Sequence, residues 1–146
     1  MPAPQTYKNH TRFDPPFHFF VLPTLLLNII FSIYATIHHW PANPHRHLWW
    51  IVISLALFVM AGTLRGAALK AQDRIIRLEE RLRLASILPA SDHALIGQIT
   101  EAQLIALRFA PDEELATLTH KAVTQGLEPK AIKQSIVNWR PDNFRV

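Results

Sequence analysis

The sequence predicts an all-α membrane protein: a two-span helical hairpin whose second span continues into a long cytoplasmic amphipathic helix, followed by a small bundle of short helices. Three observations carry this expectation. Residues 17–37 contain no Asp, Glu, Lys or Arg, and at 1.5 Å per helical residue about 21 residues reach about 31 Å, the thickness of a bilayer's hydrocarbon core. A second charge-free run, residues 48–64, has about 17 residues, at the short end of the spanning range, with Arg65 placed to snorkel. Tyr34, Trp40, Trp49 and Trp50 cluster where the two runs approach each other, as an interfacial aromatic belt does. In a chain of 146 residues, 49% apolar and 18% charged, too little polar structure remains to wrap two such helices as a buried core.

The segment 1–16 carries Lys8 and Arg12 ahead of the first span. That span is longer than the apolar region of a signal peptide, contains Asn28 and meets His38, His39 and Trp40 rather than a small-residue cleavage site, so it is read as uncleaved. The connection 38–47 holds one basic side chain, Arg46, and two prolines, Pro41 and Pro44, that interrupt a helix. Six Lys or Arg follow the second span: Arg65, Lys70, Arg74, Arg77, Arg81 and Arg83. By the positive-inside rule both termini are cytoplasmic and the connection is outside. From Pro89 onward six Lys or Arg face seven Asp or Glu. The positive surplus therefore lies beside the membrane, and the charge gives no support for a nucleic-acid partner.

Helix contacts are written into the two spans. Thr24, Asn28, Ser32 and Thr36 recur every four residues on the first span, placing small or polar side chains along one stripe. On the second, Ser54, Ala61 and Ala68 recur every seven, and Gly62 with Gly66 forms a GxxxG where backbones can approach. These features serve packing within the hairpin or docking onto another membrane subunit. No helix breaker follows Gly66 before Pro89, so residues 65–88 are expected to prolong the second span. Leu64, Ala68, Ala71, Ile75, Leu78, Leu82 and Ala85 alternate steps of four and three, a heptad seam. Asp73 with Arg77 and Glu79 with Arg83 are spaced as i,i+4 ion pairs. The seam Ala71, Ile75, Leu78, Leu82 must be covered by the C-terminal segment or by a second chain; Leu78 and Leu82 are expected to be held by the chain's own helices.

Residues 89–146 read as a small domain of three or four short helices. Ser91 or Asp92 is placed to cap Ala94–Ile99, and Thr100 with Gln103 fits a capping box before Leu104, Ile105, Leu107 and Phe109. Acidic residues 112–114 open another helix that Gly126 can end, with Leu115, Leu118 and Ala122 on one face. Pro129 suits a first helical position, ahead of Ile132, Ile136 and Trp139, and Pro141 limits this final helix. About 58 residues make a marginal core alone, so packing against the long helix is expected.

Four stretches carry a resemblance: Gln5-Thr6-Tyr7-Lys8-Asn9-His10-Thr11-Arg12, Gln72 to Arg83, Gln103-Leu104-Ile105-Ala106-Leu107-Arg108-Phe109 and Trp139-Arg140-Pro141-Asp142. With these the chain resembles an uncharacterised family of small bacterial two-span membrane proteins. The resemblance implies a location in the bacterial cytoplasmic (inner) membrane and implies no activity.

Histidine is the chemically suggestive residue, with His38, His39, His45 and His47 falling within ten positions. Imidazoles on both sides of a tight turn can converge on zinc or copper, or ligate a haem or pigment at the ends of two spans. Their spacing matches no defined metal motif, and an interfacial loop also uses His for hydrogen bonding, so no cofactor is expected. His10 and His18 lie at the opposite surface, while His93 and His120 read as solvated helix residues. With no cysteine, disulfides and thiolate metal sites are excluded. Adjacent carboxylates such as Glu79 and Glu80 diverge on a helix, no serine sits in a nucleophile elbow, and four glycines form no phosphate-cradling loop. Neither catalytic residues nor a small-molecule substrate are expected. The spans contain no ionisable side chain between His18 and His38 or over 48–64, which argues against transport. The sequence thus points to a non-catalytic accessory or assembly subunit of a larger membrane complex, with membrane lipids and other membrane subunits or a second copy as partners. A homo-oligomeric scaffold built through the seam, or a metal, haem or pigment binder using the loop histidines, are the alternatives.

Overall fold

The computed structural model describes residues 5–10, 13–40 and 42–142; Thr11, Arg12 and Pro41, named above, lie outside the described residues. All regular structure among the described residues is helical: α1 (Leu22–His38), α2 (Pro44–Ile87), α3 (His93–Ile96), α4 (Glu101–Leu107), α5 (Asp112–Thr124) and α6 (Pro129–Ser135). The chain divides into two compact units, one of residues 13–69 and one joining the described residues of 1–12 to those of 70–146.

In the first unit, α1 is preceded by a π-helical stretch, Pro16–Val21, so one continuous helical segment covers Pro16–His38. Pro23 lacks an N–H to return to the turn before it, and the wider turn satisfies the chain instead: Leu22 N–H bonds to the Phe17 carbonyl five residues back. Pro16–His38 and Pro44–Ile87 are both long and apolar enough to cross a membrane, and only 6% and 11% of their apolar windows are buried. Helices of this composition inside a soluble core would be covered. The connection is tighter than the sequence suggested. Pro44 opens α2 at its first position, where its missing N–H costs nothing, so His45, Arg46 and His47 belong to the first turn of that helix. Asn43 takes a left-handed conformation (φ 55°), which asparagine tolerates, and its carbonyl accepts from Arg46 and His47 N–H.

α2 runs unbroken from Pro44 to Ile87, as the absence of a breaker between Gly66 and Pro89 predicted. Its final turns belong to the second unit, where Leu84 and Leu88 enter a core with Leu104, Leu107, Phe109, Leu115 and Ile132. The local signals in this domain act as read. Thr100 Oγ1 accepts from Gln103 N–H while Gln103 Oε1 accepts from Thr100 N–H, a complete capping box. Gln103 Nε2 then donates to the carbonyls of Ala122 and Leu127, tying α4 to the end of α5. Gly126 (φ 60°) lets Leu127 N–H return to Ala122 O, the bond that ends α5.

Three expectations change. The helix placed over Ala94–Ile99 is only His93–Ile96, entered through a 3-10 turn at Ala90–Asp92 without a side-chain cap. α6 stops at Ser135, leaving Ile136 and Trp139 to pack from extended chain. His93 and His120 are engaged rather than simply solvated: the His93 ring nitrogen bonds to Leu88 O at 3.0 Å and His120 Nε2 to Asp92 Oδ2 at 2.8 Å.

Candidate functional site

The middle of the polar stripe in the first unit faces inward. Asn28 Nδ2 donates to Ser54 Oγ at 2.7 Å, Ser32 Oγ lies 3.1 Å from the same hydroxyl, and Ser32 and Ser54 are buried. Three of the anticipated packing residues therefore meet across the hairpin. The other two of the stripe differ: Thr36 is half-buried and bonds its own Ser32 carbonyl, and Thr24 is exposed. Ala61 is half-buried on the Ser54 side of α2. Gly62, one helical step of about 100° further round, has nothing within 4 Å of an added Cβ, and neither has Gly66. The GxxxG is thus not a close contact of this hairpin. At the other end of the unit Arg65 pairs with Asp14 at 3.3 Å and lies over the Phe17 ring.

The four loop histidines do not gather. His39 and His47 stack with ring centroids 6.0 Å apart, His38 packs on Tyr34 at 4.1 Å, and His45 is exposed. Among the described residues no group of three His, Asp or Glu side chains is arranged to hold a metal ion.

In the second unit the C-terminal part of α2 has two opposed faces. Ile76, Glu80, Leu84 and Leu88, each four residues from the next, are buried, Leu84 and Leu88 in the core shared with the C-terminal helices. Ile75, Leu78 and Leu82 are 57%, 60% and 65% exposed, and Ala71 is exposed as well. At 100° per residue the centres of these two rows lie about half a turn apart. The expectation that the C-terminal helices hold Leu78 and Leu82 is therefore overturned. They take the Leu84 and Leu88 side, which sequence reading passed over because Glu80 interrupts its apolar pattern.

Glu80 is accommodated by two guanidinium groups. Arg83 Nη1 donates to Glu80 Oε2 at 3.0 Å and Arg140 Nη1 approaches Oε1 at 3.5 Å. Burial pushes the Glu80 carboxyl above its ordinary 4.5, against the pull of Arg83 and Arg140. Arg83 also reaches Asp112 and the Ala110 carbonyl. Arg77 pairs with Glu101 and donates to the Asp73 carbonyl. The i,i+4 pairs read from the sequence are therefore replaced by contacts to the C-terminal helices. Glu79 and Arg74 remain exposed, with no ion-pair partner among the described residues.

Beside Glu80 lies an open groove of about 1040 Å³, bounded by residues of α2, the α4–α5 turn and residues 138–142. Its guanidinium groups, Arg83, Arg108 and Arg140, are matched by Glu80, Asp112 and Asp142. A groove so compensated offers no net positive charge to an anionic ligand. Nothing in the sequence pattern announced it, because it is assembled from segments far apart in the chain.

The four stretches that carry the family resemblance converge in this unit. His10 lies 5.8 Å from the Phe109 ring and 5.7 Å from Trp139, and its Nδ1–H donates to Tyr7 O while Nε2 accepts from Lys133. Asp142 N–H donates to Gln5 Oε1 at 2.8 Å, Arg108 pairs with Asp142 at 3.1 Å, and Arg140 N–H donates to Phe109 O.

Fold and surfaces together define an all-helical protein with two helices long and apolar enough to span a membrane and a helical domain that leaves one apolar row of α2 open. The chain belongs to the Family of unknown function (DUF6526), whose model matches residues 1–146. No curated protein and no solved structure matches it.

Proposed function

We propose that this protein is a non-catalytic accessory or assembly subunit of a complex in the bacterial cytoplasmic membrane, anchored by a two-span hairpin and holding its partner through Ala71, Ile75, Leu78 and Leu82. The observation that carries the reading is the exposed row on the face of α2 opposite the chain's own domain. Three large apolar side chains in water at about 1.5–3 kcal/mol each favour a covering partner. Membrane insertion is supported by two apolar helices that are almost wholly uncovered. Both termini are assigned to the cytoplasmic side by the basic residues after the second span. An independent argument agrees: docking of Gln5 and His10 onto Asp142, Phe109 and Trp139 requires both ends on one side, which two crossings satisfy and one does not.

Two measurements test this. Cysteines placed at Asn43 and Gln125 are expected to label from opposite faces of intact vesicles; access to both from one face would overturn the hairpin. Leu78→Asp is expected to leave the protease resistance of the solubilised domain unchanged and to remove the protein from its larger assembly on native purification. An unchanged assembly would overturn the role of the seam.

A further inference from the structure

We propose that the occupant of the open seam is a second copy of this chain, joined in parallel and in register as a short two-stranded coiled coil; the proposal rests on the interaction reading above and names its partner. The row occupies alternating d and a positions: Ala71 at d, Ile75 at a, Leu78 at d, Leu82 at a and Ala85 at d. Isoleucine at a with leucine at d is the combination that favours two parallel strands, and alanine at either end lets the helices close on the central layers.

Charge complementarity selects the partner and its direction. In this register Arg74 falls at g and Glu79 at e, five residues on, the separation at which a g side chain meets the e side chain of a parallel neighbour. Two symmetric Arg74–Glu79 pairs would flank the Ile75 and Leu78 layers. Both side chains are exposed, and neither has an ion-pair partner among the described residues, whereas Arg77, Glu80 and Arg83 on the opposite face are engaged within the chain. An antiparallel arrangement would set the g residues Arg74 and Arg81 against each other. Two copies anchored in one bilayer also leave it in the same direction. Confinement to that plane raises their effective concentration, which suits a seam too short to associate strongly in free solution.

The chain contains no cysteine, so one introduced thiol reports one contact. In full-length protein in native membranes, Leu78→Cys is expected to form a disulfide-linked dimer on mild oxidation, at least about tenfold more than Gln125→Cys, because facing d positions come within disulfide range. In the Leu78→Cys background, Arg74→Glu and Glu79→Arg are each expected to cut the yield several-fold, and the double exchange to restore it. Protease resistance of the domain reports folding in every variant. Yields no higher than at Gln125, or yields indifferent to both charge reversals, would overturn the parallel dimer. If Leu78→Cys gives no dimer while Leu78→Asp releases a different membrane subunit, the second copy is excluded and the interaction reading stands. If Leu78→Asp changes no association, both fall.

Discussion

Glu114 shows how one carboxylate fixes a stretch of chain that no helix holds. It accepts from the backbone N–H groups of Val137 and Asn138 at 3.0 and 2.9 Å and from the Asn138 side-chain amide. Partial burial alone would raise its carboxyl, but these three donors outweigh that and hold it below its ordinary 4.5. The unfolded chain then binds the proton more readily. The stabilisation is complete above pH 4.5 and is lost as the pH falls through the lowered folded value. Glu114→Gln is expected to lower the melting temperature of the solubilised protein by a few degrees at pH 7, and the gap from the parent should close in acid, as the pH falls through the lowered folded value. A gap of equal size at pH 7 and in acid would mean that the charge contributes nothing. The glutamate was visible in the sequence only as part of an acidic first turn, since its partners lie 23 and 24 residues away.

At the scale of elements, what the sequence announced was local and what it concealed was the choice of face. Thr100 with Gln103, Gly126 and Pro129 each act within one turn of chain, and each does what its chemistry predicts. The unbroken α2 was equally legible, because nothing between Gly66 and Pro89 can stop a helix. Which row of α2 meets the C-terminal helices was not. Leu78 and Leu82 formed the cleaner apolar pattern, yet the covered row runs through Glu80, whose charge is met by Arg83 and by Arg140, 60 residues away. In the hairpin, two members of the step of four on α1, Asn28 and Ser32, meet Ser54, while Thr24 is exposed and Thr36 bonds its own helix. Asn28→Leu combined with Ser32→Leu is expected to leave insertion intact and to weaken the association of the two helices by about 1 kcal/mol, the scale of one or two interhelical hydrogen bonds in lipid. Steric trapping of the hairpin in bicelles would measure it. No change in hairpin stability would mean that Ser54 finds an equivalent partner.

Across the whole molecule, the least legible contact was the return of the amino-terminal segment. Nothing local in Gln5 to His10 indicates that His10 will lie against Phe109 and Trp139 or that Gln5 will receive a hydrogen bond from Asp142. These are contacts over roughly a hundred residues or more, and only the packed domain specifies them. Their energetic weight is open to measurement. His10→Ala, which removes a ring set among three aromatic neighbours and a bond to Tyr7 O, is expected to lower the melting temperature of the C-terminal domain by several degrees. Trp139 fluorescence would report loosening of the same cluster. An unchanged melt would reduce the segment to a surface decoration.

That same return sets an order of events during synthesis. His10 emerges from the ribosome well before Phe109, and Trp139 follows His10 by about 130 residues, on the order of ten seconds or more at ordinary elongation rates. Both apolar helices are made in the interval. In the proposed topology the amino-terminal segment therefore waits, without its docking surface, through the whole period in which the spans enter the bilayer. Its closure onto the finished domain is a late event, and a chain inserted with its two ends on opposite sides would never complete it. In that topology, a molecule threaded with its two ends on opposite sides keeps Phe109 and Trp139 without their His10 partner.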